Sequence, residues 1–185
     1  MSTSVDALIS VKKTFAKPIR FMPTTNARSA SIRTPNHFIV ATDLTAVKKG
    51  RAGELLAAGI IEQSGYRAIL CQQQDFDLLI MSECGQTYRC EVKTSSRPTI
   101  DKQNAKCKPR YRWSTARGTK AKTRLNPDAV DVLCLVALDI RRVYFISVFH
   151  HRSVRTNLNI STMLDNDELA QMQKVLREID LRRQI

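Results

Sequence analysis

The sequence predicts an α/β domain in which a central mixed sheet of about five strands is flanked by helices. Three observations lead there. The chain has 185 residues and is 43% hydrophobic, enough for one compact domain with a sizeable core and cramped for two. Its periodic segments run in the order helix, three strands, basic insertion, two strands, helix. The last two strands, Ala129 to Asp139 and Arg142 to Val148, are apolar enough to lie at the centre of a sheet, with Asp139 to Arg141 as the turn between them. On this reading residues 1–36 are a basic N-terminal arm and residues 37–150 the core, with a basic insertion at 97–126. Residues 151–185 are then a C-terminal amphipathic helix.

Charge narrows the partner. The 30 Lys and Arg against 17 Asp and Glu give a formal net charge of +13, an excess that suits a polyanion, nucleic acid ahead of an anionic membrane surface. Arg97 to Arg124 concentrates it, with ten basic residues and one acid, Asp101. Met1 to Asn36 has six basic residues and only Asp6. Pro18, Pro23 and Pro35 break up that arm, which reads either as a segment reaching DNA or a neighbouring subunit or as an extension wrapped over the core.

Cysteine usage and hydropathy exclude other classes. Five cysteines form no Cys-x-x-Cys pair, so a zinc site is not expected, and Cys90 and Cys134 fall inside strands as small buried hydrophobes. The longest apolar stretch, Val132 to Leu138, is strand-sized and excludes a membrane span. A reducing cytoplasmic location, at the nucleoid or in a phage-infected cell, is therefore expected. The Ser-, Thr- and Arg-rich, acid-poor N-terminus leaves organelle import as the alternative.

Thr42 to Ser64 is the strongest helix, with Thr42 or Asp43 as N-cap and Gly65 as its stop. Val47, Glu54, Ala58 and Ile61 share a stripe, which places Glu54 on or beside the inward face. A carboxylate there needs a cation, a donor or water, and the ordinary partner is Arg51. Gly50 and Gly53 are costly inside a helix and imply the close approach of a strand or of a phosphate backbone.

After a first strand, Tyr66 to Cys71, and a turn, Gln72 to Asp75, the stretch Phe76 to Ser96 reads as a hairpin. Phe76 to Ser82 and Gln86 to Ser95 are its strands, joined by Glu83-Cys84-Gly85 with Gly85 at the left-handed position. That turn sets Ser82 against Gln86 and hence Asp77 opposite Glu91. Leu78, Ile80, Tyr88, Cys90 and Val92 then form an apolar face, and Asp77, Arg89, Glu91 and Lys93 converge on the other. Two carboxylates opposite each other on neighbouring strands repel, and a cation between them reverses the sign of that interaction. Hard oxygen ligands with room for water suit Mg²⁺. Lys93 would then orient or deprotonate a water, or hold a phosphate. The ordinary alternative is an ion-pair network in which Lys93 and Arg89 neutralise the two acids.

In the insertion, Lys108, Arg110 and Arg112 surround Tyr111 and Trp113, as in a strand or loop that tracks phosphates, with Trp113 anchored in the core. Asp131 is a turn-closing aspartate or a further ligand. Asp165 to Arg183 is an amphipathic helix with Leu169, Met172, Val175, Leu176 and Ile179 on one face, set to cover the sheet or pair with a second copy.

This order of elements, with an acid on the leading helix, Asp77 before Leu78-Leu79-Ile80, and Glu91-Val92-Lys93, resembles the PD-(D/E)XK nuclease superfamily. Within it the chain looks most like archaeal-type Holliday junction resolvases and related phage, homing and restriction endonucleases. The resemblance spans roughly Lys48 to Val148. Phe76 stands where the superfamily name expects proline, and Asp75 is a rival for the aspartate role. What the resemblance implies is a restriction-endonuclease-like core that hydrolyses DNA phosphodiester bonds, with Asp77, Glu91 and the Val92 carbonyl holding Mg²⁺ or Mn²⁺. Glu54 would complete the site and Lys93 would position the attacking water. Lys48, Lys49, Arg51, Arg97, Lys108, Arg110 and Arg112 would grip the DNA backbone. Cutting a junction in two places needs two sites in fixed relation, so a homodimer or higher homo-oligomer is expected. The rivals are a sequence-specific homing or restriction enzyme and a non-catalytic nucleic-acid-binding module on the same scaffold.

Overall fold

The computed structural model describes residues 45–71, 75–100, 108–118 and 122–184. The expected arm at 1–36 and the expected caps Thr42 and Asp43 lie outside them. Helix α1, Ala46–Gln63, is capped instead by Thr45, whose side chain accepts from the Lys48 amide, and it stops at Ser64 with Gly65 beyond. Its inward line is Gly53, Ala57 and Ile61. Val47, expected on that stripe, is 81% exposed, because the helix meets the sheet only from its third turn onward.

Five strands make the central sheet: β1 (Arg67–Leu70), β2 (Leu78–Met81), β3 (Thr87–Ser95), β5 (Val132–Ala137) and β6 (Arg142–Ser147). Their spatial order is β1-β2-β3-β5-β6, antiparallel throughout except for the parallel β3–β5 pair. This is the mixed sheet of five strands read from the sequence. The hairpin has the expected register, Leu78 against Cys90 and Met81 against Thr87, with Ser82 N donating to Gln86 O at 2.9 Å. Gly85 sits at φ +84°, which a side chain would disfavour.

A second, two-stranded sheet pairs β4 (Arg110–Ser114) with β7 (Arg155–Asn159). Helices α2 (Ile160–Leu164) and α3 (Glu168–Arg183, N-cap Asp167) follow. Residues 151–185 are therefore a strand and two helices, where the sequence predicts one helix. The outward alternation of a short polar strand, RTNLN, carries too little apolar signal to be seen without its partner. Leu169, expected inside, is exposed, while Met172, Val175, Leu176 and Ile179 are buried.

Two cores share the central sheet. One face packs on α1 and α3 through Ala57, Ile61, Leu78, Ile80, Cys90, Val92 and Phe145. Leu133, Leu135 and Ala137 on the other face pack under Tyr111, Trp113 and Met163. All six residues of β5 are buried, which is why Val-Leu-Cys-Leu-Val-Ala is a continuous apolar run. Helix side chains bond to the backbone of both edge strands. Glu62 accepts the Ala68 amide on β1 at 2.7 Å. On β6, Glu168 accepts the Val143 amide at 2.7 Å, and the Gln171 amide group binds both Phe145 N and O.

Candidate active site

The candidate site begins where β2 ends. Pairing of β2 with β3 runs from Met81 to Leu78, and one further bond, Asp77 N to Cys90 O at 3.0 Å, closes the ladder. Beyond it, among the described residues, β3 continues with β5 as its one neighbouring strand in the sheet. Asp77 fills the gap with its side chain: Oδ2 accepts the Val92 amide at 2.7 Å. The N–H and C=O of one strand residue point to the same edge, so the Val92 carbonyl opens on this edge too.

Glu91, 7% exposed, lies on the opposite face of β3 from Val92 and is held on both oxygens. Lys93 Nζ is 2.6 Å from Oε1 and Arg117 Nη2 is 3.0 Å from Oε2. Arg117 also reaches Asp75 at 3.4 Å, and Asp75 is otherwise solvent-facing, 82% exposed at its side chain. Asp77, half-buried at the ladder end, is thus the aspartate beside Glu91, while Asp75 is an outer partner of Arg117. Glu54 is bonded to Arg51 at 2.9 Å, the pairing expected of a boundary glutamate.

Electrostatics single out Asp77. Burial pushes its carboxyl up to about 6, partly offset by the Val92 hydrogen bond, and the negative charges of Glu91 and Glu54 push the same way. Both glutamates therefore act on Asp77 even though each is turned towards its own cation. Among the described residues no three His, Cys, Asp or Glu side chains stand ready as a metal-holding set. The donors nevertheless suit a hard divalent cation: Asp77 Oδ1 accepts no hydrogen bond from a described residue, the Val92 carbonyl shares its edge, and the negative charges of Glu91 and Glu54 reach Asp77, with Lys93 offsetting part of them. Holding such an ion with Glu91 requires one of its oxygens to exchange Lys93 or Arg117 for the metal.

The flanking basic residues divide into three groups. Lys48, Lys49 and Arg51 lie in the first two turns of α1, and Arg97 is exposed just after β3. Lys108 is exposed ahead of β4, while Arg110 and Arg112 stand on its outer face. Trp113 is anchored as expected, its indole N–H donating to Val136 O at 3.1 Å. Asp131 is engaged by Arg89 and Arg183. Although burial alone would raise its pKa, bonds from the Arg89 amide and guanidinium hold it below the ordinary carboxylate range, and Arg183 joins at 3.1 Å. It clasps α3 to the sheet and takes Arg89 away from Glu91. The residue that sequence reasoning missed is Arg117, since nothing in its spacing from Glu91 signals contact; only the excess of basic residues in 97–124 pointed to that region.

No family model matches the chain, and no curated protein matches it in sequence. Among solved structures it is similar to that of a bacterial homing endonuclease, I-Ssp6803I, at 12% identity with a TM-score of 0.54, covering 76% of this chain and 99% of that one. The likeness is one of fold: the chain has a nuclease-like architecture.

Proposed function

We propose that this chain is a metal-dependent DNA endonuclease of the PD-(D/E)XK type, built around Asp77, Glu91 and Lys93. The observation that carries the reading is Asp77 itself. A carboxyl placed where a strand departs, pushed up to about 6 and set beside a second buried acid, costs stability that a purely structural residue would not need to impose. The similarity to a homing endonuclease supports the same class, and a specific duplex sequence fits it no worse than a four-way junction as substrate.

In this reading Asp77, the Val92 carbonyl and Glu91 hold Mg²⁺ or Mn²⁺, with Glu54 beyond them. When bound, the ion supplies Lewis acidity to the scissile phosphate and lowers the pKa of a coordinated water. The protein does the rest. Lys93 would orient the attacking water in line with the leaving oxygen and Arg117 would balance charge gathering on the phosphate, one of the two having given up its Glu91 oxygen. Lys48, Lys49, Arg51, Arg97 and Lys108 hold the backbone on either side. A homodimer would place two such sites across the duplex.

One observation favours the rival reading of a non-catalytic binding module: both oxygens of Glu91 are satisfied by cations, as in a structural ion-pair network. A magnesium titration separates the two. The proposal expects magnesium-stimulated nicking of supercoiled plasmid, and cutting of linear duplex carrying a preferred sequence at least as fast as of a four-way junction. Tight, salt-sensitive DNA binding with no nicking at any magnesium concentration would leave the binding module. Cutting confined to junctions would restore the resolvase.

A further inference from the structure

We infer that the outer face of the β4–β7 ribbon enters the major groove of duplex DNA and reads base edges through Arg110, Arg112, Asn157 and Asn159. This rests on the endonuclease reading above and adds the element that would choose the sequence.

The two strands are antiparallel, with Arg110 against Asn159, Arg112 against Asn157 and Ser114 against Arg155. Burial alternates along β4: Tyr111 and Trp113 face the core, and Arg110, Arg112 and Ser114 face out. On β7 the exposed residues are Arg155, Asn157 and Asn159. Neither strand contains an acid. Across the pair, Arg110 and Arg112 stand opposite the amides of Asn159 and Asn157. Those residue types are the ones whose geometry matches base edges, arginine bidentate to guanine and asparagine bidentate to adenine.

Shape and rigidity agree with that use. A two-stranded ribbon fits the major groove, and five residues rising about 3.4 Å each reach along roughly five base pairs. The ribbon is fixed from beneath. Tyr111 stacks on Trp113, its hydroxyl donates to Asp139 at 2.7 Å, and the Trp113 indole is tied to Val136. Three residues beyond β4 the chain delivers Arg117 to Glu91, so the reading face and the candidate catalytic acid share one frame. The ribbon carries no lysine; the lysines proposed to grip phosphate lie on α1 and before β4.

The test is a binding selection from duplexes with a randomised stretch, done without divalent metal so that cutting does not enter. Wild type should enrich a defined sequence. Asn157→Ala should relax preference at one or two adjacent base pairs by about tenfold or more. Arg112→Lys keeps the charge, so it should lose preference at its own base pair while the salt dependence of binding stays the same. Lys174→Ala, exposed on α3, should change neither. Ribbon variants that weaken every sequence alike would make the face a phosphate contact and overturn the inference, as would a wild type that enriches nothing. A protein that nicks plasmid but shows no such preference overturns this inference alone. One that selects a sequence yet never nicks overturns the nuclease reading alone.

Discussion

Asp77 carries a sign that can be measured. Its carboxyl is raised from 3.8 to about 6, chiefly by burial, so the folded chain holds that proton more tightly than the unfolded chain between those values. Stability from this group is full below pH 3.8 and is lost as pH rises through about 6, leaving an ionised, strained carboxylate at neutral pH. In metal-free buffer, Asp77→Asn should therefore melt above wild type at pH 8, and the difference should shrink towards pH 4. Adding magnesium at pH 8 should raise the melting temperature of wild type and not of the variant, because binding to the folded state alone adds stability. A difference between the two proteins that is independent of pH would contradict the assignment. Asp77, Glu91 and Lys93 were legible because strand alternation and a three-residue turn fix who faces whom. Arg117 was not, since its approach depends on a chain path of 26 residues with no periodic signal.

At the level of elements, the two helix glycines separate cleanly. A Cβ on Gly53 would lie 1.9 Å from Thr94 Oγ1 on β3, whereas one on Gly50 would meet nothing within 4 Å. Urea unfolding should show Gly53→Ala destabilised by about 1–3 kcal/mol through overpacking. Gly50→Ala should be stabilised by about 0.5–1 kcal/mol through helix propensity. Equal effects at both positions would mean that α1 does not pack on β3 as described. The sequence reading allowed a strand or a phosphate backbone near these glycines; at Gly53 the neighbour is the strand. Helix α1, the hairpin and the β5–β6 pair were readable because each carries its own period or turn. The β4–β7 sheet was not, because its strands lie about 40 residues apart and a polar outer face hides half the alternation.

Across the whole molecule, the charge of +13 and the nuclease-like architecture converge on one account. Helix side chains bond to backbone groups on both edge strands of the central sheet, Glu62 on β1 and Glu168 and Gln171 on β6, which leaves fewer free groups for strand addition there. The central claim is that Asp77, Glu91 and Lys93 together hydrolyse a DNA phosphodiester. Single-turnover nicking of supercoiled plasmid in saturating magnesium, compared among wild type, Glu91→Gln and Lys93→Ala, tests it most directly. The account predicts cutting by wild type and a loss of at least about 100-fold in either variant, with DNA binding retained, on the scale seen when a group acting on the transition state is removed. Wild-type rates in both variants would contradict it.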